Sequence, residues 1–213
     1  MRKIEPLAGL FFLCMLVGCS DNLETMVGTV DEVRIEQNEL LLDVSDWVIE
    51  EKDVQNAIGY IYVAEIGKDT VVQTEHGEKV KWQNLKVGQK VKVKAPEGTK
   101  EHGAARKIVI LKMTRKEKLG YLVPKAENQL NVVVLYSPAG PPSEKLENEV
   151  MELIEGFHIQ VVARLYDPDY VIDLKKAFEI RKWPIILAFD ANGLAFKTQN
   201  VEELRDFLQK YRN

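Results

Sequence analysis

The hydrophobic pattern of the chain changes near Arg115, and this change restricts the folds that are available to it. Before that residue, short segments rich in Val, Ile and Tyr are separated by Gly, Asn and Asp, as in strands joined by turns. Beyond it, continuous apolar runs alternate with helical periods, as in strands buried between layers of helices. We therefore expect an α+β multi-domain chain, with a small barrel followed by an α/β domain.

Residues 26–114 are predicted to form a small antiparallel β-barrel. Valine and lysine alternate in the element GQKVKVKA, which indicates a strand with one packed face and one solvated face. Together with the opening GTVDEV and the closing KIVILKM, this element resembles a five-stranded OB-type barrel. The segment also resembles a barrel domain found in secreted proteins of Gram-positive bacteria. The alternating residues are Val91, Val93 and Ala95 on one face and Lys90, Lys92 and Lys94 on the other.

The segment that follows the barrel divides into a linker and an α/β unit. Residues 115–129 carry charges, a glycine and a proline without a sustained period, and we interpret them as a linker. Residues 130–213 predict a β-α-β unit, a short helix, a β-hairpin that turns at Asn192-Gly193 and a last helix. The first of these helices carries one apolar stripe at helical spacing. The stripe consists of Leu146, Val150, Leu153, Ile154 and Phe157.

This order of elements resembles the thioredoxin family over residues 130–213. The stretch AFEIRKWPIILAFDANGLAFK is similar to the part of thioredoxins in which a short helix leads into the cis-proline strand and then a hairpin. By that resemblance, Pro184 occupies the cis-proline position. The run Ala139-Gly140-Pro141-Pro142 follows the first strand at the place where the family has Cys-Gly-Pro-Cys.

The chain departs from the thioredoxin family at the residues that perform disulfide exchange. That reaction needs a thiolate at a helix N-terminus and a second thiol that resolves the mixed disulfide. Ala139 stands in place of the attacking cysteine, Pro142 in place of the resolving one, and Val133 where thioredoxins keep a buried aspartate. We therefore expect no catalytic residue and no enzymatic activity. A thiol oxidoreductase that borrows thiols, or a hydrolase with an unrecognised site, is the alternative.

The thioredoxin-like scaffold retains a way to bind peptides that does not require cysteine. In the family, the backbone beside the cis-proline pairs with an extended substrate peptide, which is a form of strand addition. The resemblance implies a groove formed by Tyr136, Pro138, Ala139, Trp183 and Pro184. Aromatic side chains often anchor protein contacts, so Trp183 is predicted either to flank this groove or to pack in the core.

The N-terminus has the organisation of a secretory signal. Two basic residues precede an apolar run that is too short to span a bilayer permanently. The motif Leu16-Val17-Gly18-Cys19 resembles the lipobox of bacterial lipoproteins, in which the cysteine sulfur receives a diacylglycerol. The resemblance implies a signal peptide at residues 1–18, a lipidated tether at 19–25 and anchoring at the extracytoplasmic face of the cell membrane. An ordinary signal peptide with a chance cysteine is the alternative.

Cysteine usage limits the redox chemistry of the chain. Its two cysteines are Cys14, which lies within the signal, and Cys19, which lies in the lipobox. Lipidation of Cys19 leaves the mature chain with neither a free thiol nor a disulfide. We expect no cofactor other than the covalent diacylglycerol at Cys19.

Charge and histidine content limit the partners. Of 29 basic and 33 acidic residues, the signal holds two and one, so the mature chain has 27 and 32 and a formal charge of −5. A net acidic surface disfavours nucleic acid as a partner. The expected partners are the membrane, through the lipid anchor, and an unidentified extracytoplasmic protein or peptide. The lysine row leaves a cell-wall polymer as an alternative ligand of the barrel.

His76 and His102, each in an EHG tripeptide, supply too few ligands for zinc, so no metal site is expected.

Overall fold

The computed structural model describes residues 23–52, 59–96, 101–124, 126–140, 142–155 and 159–211. Within these ranges the chain forms a closed five-stranded barrel and a second, four-stranded sheet, which confirms the barrel and the mixed α/β composition. The predicted signal peptide and Cys19 lie outside the described residues. In the described part of the chain, no helix has the length and apolar content needed to cross a membrane.

Five strands close the barrel in the order β1-β2-β3-β5-β4, with β4 paired to β1. The prediction of a wholly antiparallel barrel is wrong for one pair, because β3 and β5 are parallel. The cause is that β4 lies between β5 and β1, so the chain reverses twice before β5 returns beside β3. The strands are β1 (Leu23–Arg34), β2 (Glu39–Asp43), β3 (Ile61–Thr74), β4 (Lys90–Pro96) and β5 (His102–Ile110).

The alternation predicted for β4 is confirmed, and it supplies one wall of the barrel core. Val91, Val93 and Ala95 are buried, whereas Lys92 and Lys94 are exposed. The sequence pattern did not predict helix α1 (Ser45–Lys52), since its eight residues are too few to establish a clear helical period. The remaining fully buried members of the barrel core include Val30, Leu40, Leu42, Tyr62, Ala64 and Ile108.

The second sheet has the order β7-β6-β8-β9 and is covered by helices on both faces. Strand β6 is central: it pairs parallel to β7 and antiparallel to β8, and all seven of its side chains are buried. Helices α3 and α5 cover one face, and α2 and α4 cover the other. The elements are α2 (Arg115–Leu119), β6 (Leu130–Tyr136), α3 (Glu144–Ile154), β7 (Ile159–Leu165), α4 (Leu174–Ala177), β8 (Ile185–Asp190), β9 (Gly193–Thr198) and α5 (Val201–Tyr211).

The hairpin between β8 and β9 turns one residue earlier than predicted. Asp190 pairs with Gly193, so the loop consists of Ala191 and Asn192 instead of Asn192-Gly193. The Asp190 carboxylate fixes this turn by accepting hydrogen bonds from the backbone N–H groups of Asn192, at 2.7 Å, and Gly193, at 3.1 Å.

Part of the segment interpreted as a linker packs into the second domain. Thr114 and Glu117 cap α2 reciprocally, and a short 3-10 turn follows. Leu119 and Leu122 are buried in the core cluster on the α4 side of the sheet. The burial of these two leucines gives residues 115–124 a structural role that charge and turn content alone do not indicate.

The barrel contacts the second domain through backbone and a glycine. The N–H of Val171 donates to the carbonyl of Val87 at 2.7 Å, and Val87 forms an isolated parallel bridge with Tyr170. The Tyr170 ring is 5% exposed and lies against Gly88, where an added Cβ would meet the ring at 2.5 Å. Gly88 also has a φ of +82°, a conformation that glycine adopts without a steric penalty.

We predict that Gly88→Ala lowers the free energy of unfolding by about 2–3 kcal/mol, because the methyl group overlaps the Tyr170 ring and the positive φ is strained. In a Tyr170→Ala background the overlap disappears, so the same substitution should cost only about 1 kcal/mol. Urea unfolding of the four chains measures the coupling. Equal costs in the two backgrounds would show that the ring does not rest on Gly88.

We also predict a pH-dependent contribution from Glu117. Its carboxylate accepts from the Thr114 N–H at 2.8 Å and lies 3.3 Å from Lys90 Nζ, and the first of these contacts contributes most to lowering its pKa below the usual 4.5. A lowered pKa stabilises the folded state above pH 4.5, and the stabilisation is lost as the pH falls through the folded-state value.

Glu117→Gln keeps the capping hydrogen bond and removes the charge, so it tests the electrostatic part alone. Because the pair is exposed, we expect a loss of at most about 0.5 kcal/mol at neutral pH. Urea unfolding between pH 7 and pH 3 should show that the difference from the parent chain shrinks as the pH falls. A difference that stays constant over this range would contradict this assignment.

Candidate functional site

The loop between β6 and α3 contains the run in which the family resemblance predicts the place of the reactive cysteines. Ser137 organises it: its carbonyl accepts from Gly140 N–H and its hydroxyl from Ala139 N–H, both at 3.3 Å. Pro138 and Ala139 are exposed. Ser143 caps α3 by accepting from the Leu146 N–H, so the helix begins at Glu144. This part of the predicted groove therefore presents a short apolar surface on a fixed turn.

The Trp183–Pro184 segment lies at the end of the sheet from which the loop between β6 and α3 leaves. The peptide bond between these residues is cis, in agreement with the position that the family resemblance implied. Leu135 pairs with Ile185, so the end of β6 and the start of β8 are adjacent. Pro184 is exposed and Trp183 is half-buried. The sheet thus brings Trp183 and Pro184 to the edge where the loop after β6 begins.

Tyr136 differs from the other residues expected in the groove because its side chain is directed into the core. It is 3% exposed and packs in the cluster beneath α3 and α5. Its hydroxyl donates to the carbonyl of Ser143 at 3.2 Å, and burial is the largest cause of its raised pKa. Tyr136 therefore supports the start of α3, and its ring is not available to a ligand.

Tyr166 is a member of the site that the sequence pattern did not identify. Its ring lies 5.3 Å from that of Trp183, with an angle of 37° between the planes. It directly follows β7, and its N–H donates to the carbonyl of Tyr136 at 2.8 Å. The sequence signal that could have identified Tyr166 is its position directly after β7. That strand is parallel to β6, and parallel strands end at the same side of a sheet.

A hydrogen bond to Asp173 fixes the Tyr166 ring. Its hydroxyl donates to Asp173 Oδ1 at 2.9 Å, and Asp173 also accepts from the Lys176 N–H at the start of α4. The Lys176 N–H is the largest cause of the lowered pKa of Asp173, and burial is the largest cause of the raised pKa of Tyr166. Tyr166 is therefore a neutral donor to an ionised acceptor, and the aromatic pair with Trp183 is held in place.

The backbone of Trp183 is open to an additional hydrogen-bonding partner. Among the described residues, neither its N–H nor its carbonyl takes part in a hydrogen bond. The carbonyl of Pro184, in contrast, accepts from Gln199 Nε2 at 3.1 Å. One donor and one acceptor beside an aromatic pair are the groups that an extended peptide needs for backbone pairing.

The positions at which the family resemblance predicts redox groups carry none of those groups. Ala139 and Pro142 stand where cysteines are expected, and Val133, which is fully buried, stands where an aspartate is expected. Across the ranges that the structure covers, no three His, Cys, Asp or Glu side chains converge as a metal site would require. His102 Nε2 lies 2.9 Å from Glu65 Oε1 on the barrel surface.

A separate cavity of about 620 Å³ lies between α2, the end of α4 and the β8–β9 hairpin. Two of its three cations have backbone acceptors: Arg115 donates to the Ala177 carbonyl at 3.5 Å, and Lys197 to the Phe178 carbonyl at 2.7 Å. The Arg115 guanidinium also lies over the Phe178 ring. These contacts satisfy carbonyl groups at the end of α4, so we assign them a structural role.

Comparison with known proteins gives partial similarities only. No family model and no curated protein matches the chain. Among solved structures, it is similar to a mutant thioredoxin from Halobacterium salinarum, at 23% identity and a TM-score of 0.31, over 39% of this chain and 75% of that one. Thioredoxin f from spinach chloroplast is 16% identical, with a TM-score of 0.37 and coverages of 47% and 91%. A Cu(II)-containing CusF variant from Escherichia coli is 14% identical, with a TM-score of 0.26 and coverages of 41% and 90%. Each of these similarities covers less than half of this chain.

Proposed function

We propose that the chain is a membrane-anchored extracytoplasmic lipoprotein whose thioredoxin-like domain binds extended peptide segments of a partner protein and performs no redox reaction. The observation that carries the proposal is the backbone N–H and carbonyl of Trp183, which have no hydrogen-bonding partner among the described residues, in the partly exposed segment that leads into β8. The Trp183–Tyr166 pair supplies apolar area beside them. Backbone pairing then provides affinity, and the neighbouring surface selects side chains.

The chemistry of the loop after β6 supports binding without turnover. A methyl group at Ala139 has no lone pair with which to attack a disulfide, and Pro142 has no group that resolves a mixed disulfide. The only cysteine retained after the predicted signal is Cys19, whose sulfur would be acylated. A peptide bound beside Pro184 would therefore leave chemically unchanged.

The lipid anchor is supported by the N-terminal sequence. The motif Leu16-Val17-Gly18-Cys19 follows a basic and then apolar segment, and the described fold starts only four residues later, at Leu23. Two acyl chains, each contributing about 0.8 kcal/mol per buried methylene, hold a protein at a bilayer where one chain would release it.

Trp183→Ala should weaken peptide binding at least tenfold, since removal of an aromatic anchor from an interface typically costs about 2 kcal/mol or more. The probe is a peptide selected against the full chain from a phage-displayed library, and fluorescence anisotropy measures its affinity. Trp183→Phe retains an aromatic ring and should lose less affinity.

The control for this measurement separates binding from folding. Trp47→Phe changes another partly buried tryptophan, in the barrel, and should leave the affinity unchanged. Methylation of one backbone nitrogen of the peptide should abolish binding if strand pairing occurs. Unchanged affinity of Trp183→Ala at equal thermal stability would remove the groove from consideration.

Cys19→Ser should abolish lipidation and release the chain from membranes. Expression in a bacterial host with a radiolabelled fatty acid, followed by fractionation, measures both effects. Cys14→Ser is the matched control and should retain the label, because Cys14 lies within the predicted signal. Label that persists in Cys19→Ser would contradict anchoring through this sulfur.

A further inference from the structure

Two rows of outward-facing residues cross four strands of the barrel without any acidic residue. The first row follows from direct pairing of Thr25 with Lys94, Lys94 with Lys107 and Lys107 with Val71. Thr25, Lys94 and Val71 are exposed, and Lys107 is partly exposed. On a chain with a formal charge of −4, this row concentrates positive charge and apolar surface.

The second row lies beside the first and has the same character. Val27 pairs with Lys92, Lys92 with Val109 and Val109 with Gln73. We call the surface formed by the two rows the lysine face. It combines the cations Lys92, Lys94 and Lys107 with the valines Val27, Val71 and Val109.

Among the described residues, no acidic group is paired with the three cations of the lysine face. In the described part of the chain, Lys92, Lys94 and Lys107 form no ion pair and no side-chain hydrogen bond, whereas Lys90 is paired with Glu117. Lys94 and Lys107 are directly opposite each other, and like charges at opposite positions destabilise a sheet. The face thus retains an unfavourable contact that an external anion would relieve.

The start of the barrel places the lysine face next to the predicted anchor. Leu23 begins β1 and pairs with Pro96, two residues from Lys94 on the neighbouring strand. Cys19 precedes Leu23 by four residues, which span at most about 14 Å when fully extended. A lipid on Cys19 therefore keeps this end of the barrel within a short distance of the headgroups.

We propose that the lysine face docks on a bilayer surface that contains anionic lipids, an inference that rests on the lipid anchor of the proposed function. The ammonium groups pair with headgroup phosphates, and the valines contact the interface. A second attachment of this kind orients the barrel instead of leaving it to swing on its tether. Each lysine near an anionic surface changes the docking equilibrium about fivefold.

The test measures the rate of lysine acetylation, residue by residue, by mass spectrometry. The lipidated full chain is reconstituted in vesicles of phosphatidylcholine with or without phosphatidylglycerol. We expect acetylation of Lys92, Lys94 and Lys107 to slow at least about fivefold only in the anionic vesicles, and high salt to restore the rate. The exposed lysines Lys116 and Lys175 are internal controls and should react equally in both.

Lys107→Glu separates docking from folding. It places opposite charges across from each other, so the thermal midpoint in solution should rise while the protection of Lys92 and Lys94 in anionic vesicles is lost. The matched control, Lys175→Glu, changes the net charge equally and should leave the protection unchanged.

Three results would overturn the docking face: equal acetylation in the two vesicle types, protection that survives Lys107→Glu, or protection produced only by a soluble polyphosphate polymer. The mass of the N-terminal peptide reports lipidation independently. A chain recovered without lipid counts against the anchor, and its acetylation with added anionic vesicles still decides whether the lysine face docks.

Discussion

The burial of β6 on both faces is the constraint on which the second domain depends. A strand with seven buried side chains needs a covering layer on each side. Helices α3 and α5 provide one layer, and α2 with α4 provides the other. This requirement explains why Leu119 and Leu122 enter the core although their segment is rich in charge. It also positions the site, since the loop to α3, Tyr166 and Trp183 all lie at the edge where β6 ends.

The elements that the sequence predicts are those in which one hydrophobic period persists. The β4 alternation, the β6 apolar run and the stripe of α3 each follow directly from side-chain geometry, and the structure agrees over their described residues. Helix α1 and the helical part of residues 115–124 are too short to show a hydrophobic period. Tyr166 and the inward direction of Tyr136 depend on contacts between strands distant in sequence, which no local pattern contains.

The proposed site has the features that shape a binding surface in thioredoxins but lacks the groups that carry out their redox reaction. The features that shape a surface are present: a fixed turn, a cis bond before β8, and an aromatic pair supported by Asp173. At positions 133, 139 and 142, where the family resemblance predicts redox groups, the chain has Val, Ala and Pro. Under the proposed function, recognition then depends on shape and backbone pairing and not on a thiolate.

The contact between Gly88 and Tyr170 has a mechanical consequence. The lysine face reaches Lys94 on β4, and the contact with the second domain lies before Lys90, the first residue of that strand. Four residues separate Lys94 from Lys90, which is roughly 13 Å at the rise of a strand. A ring seated on a glycine, beside a backbone hydrogen bond, leaves little room for one body to slide on the other. Under the proposed anchoring, the barrel then spaces the peptide site from the lipid, and a partner segment has to reach across that distance to be bound.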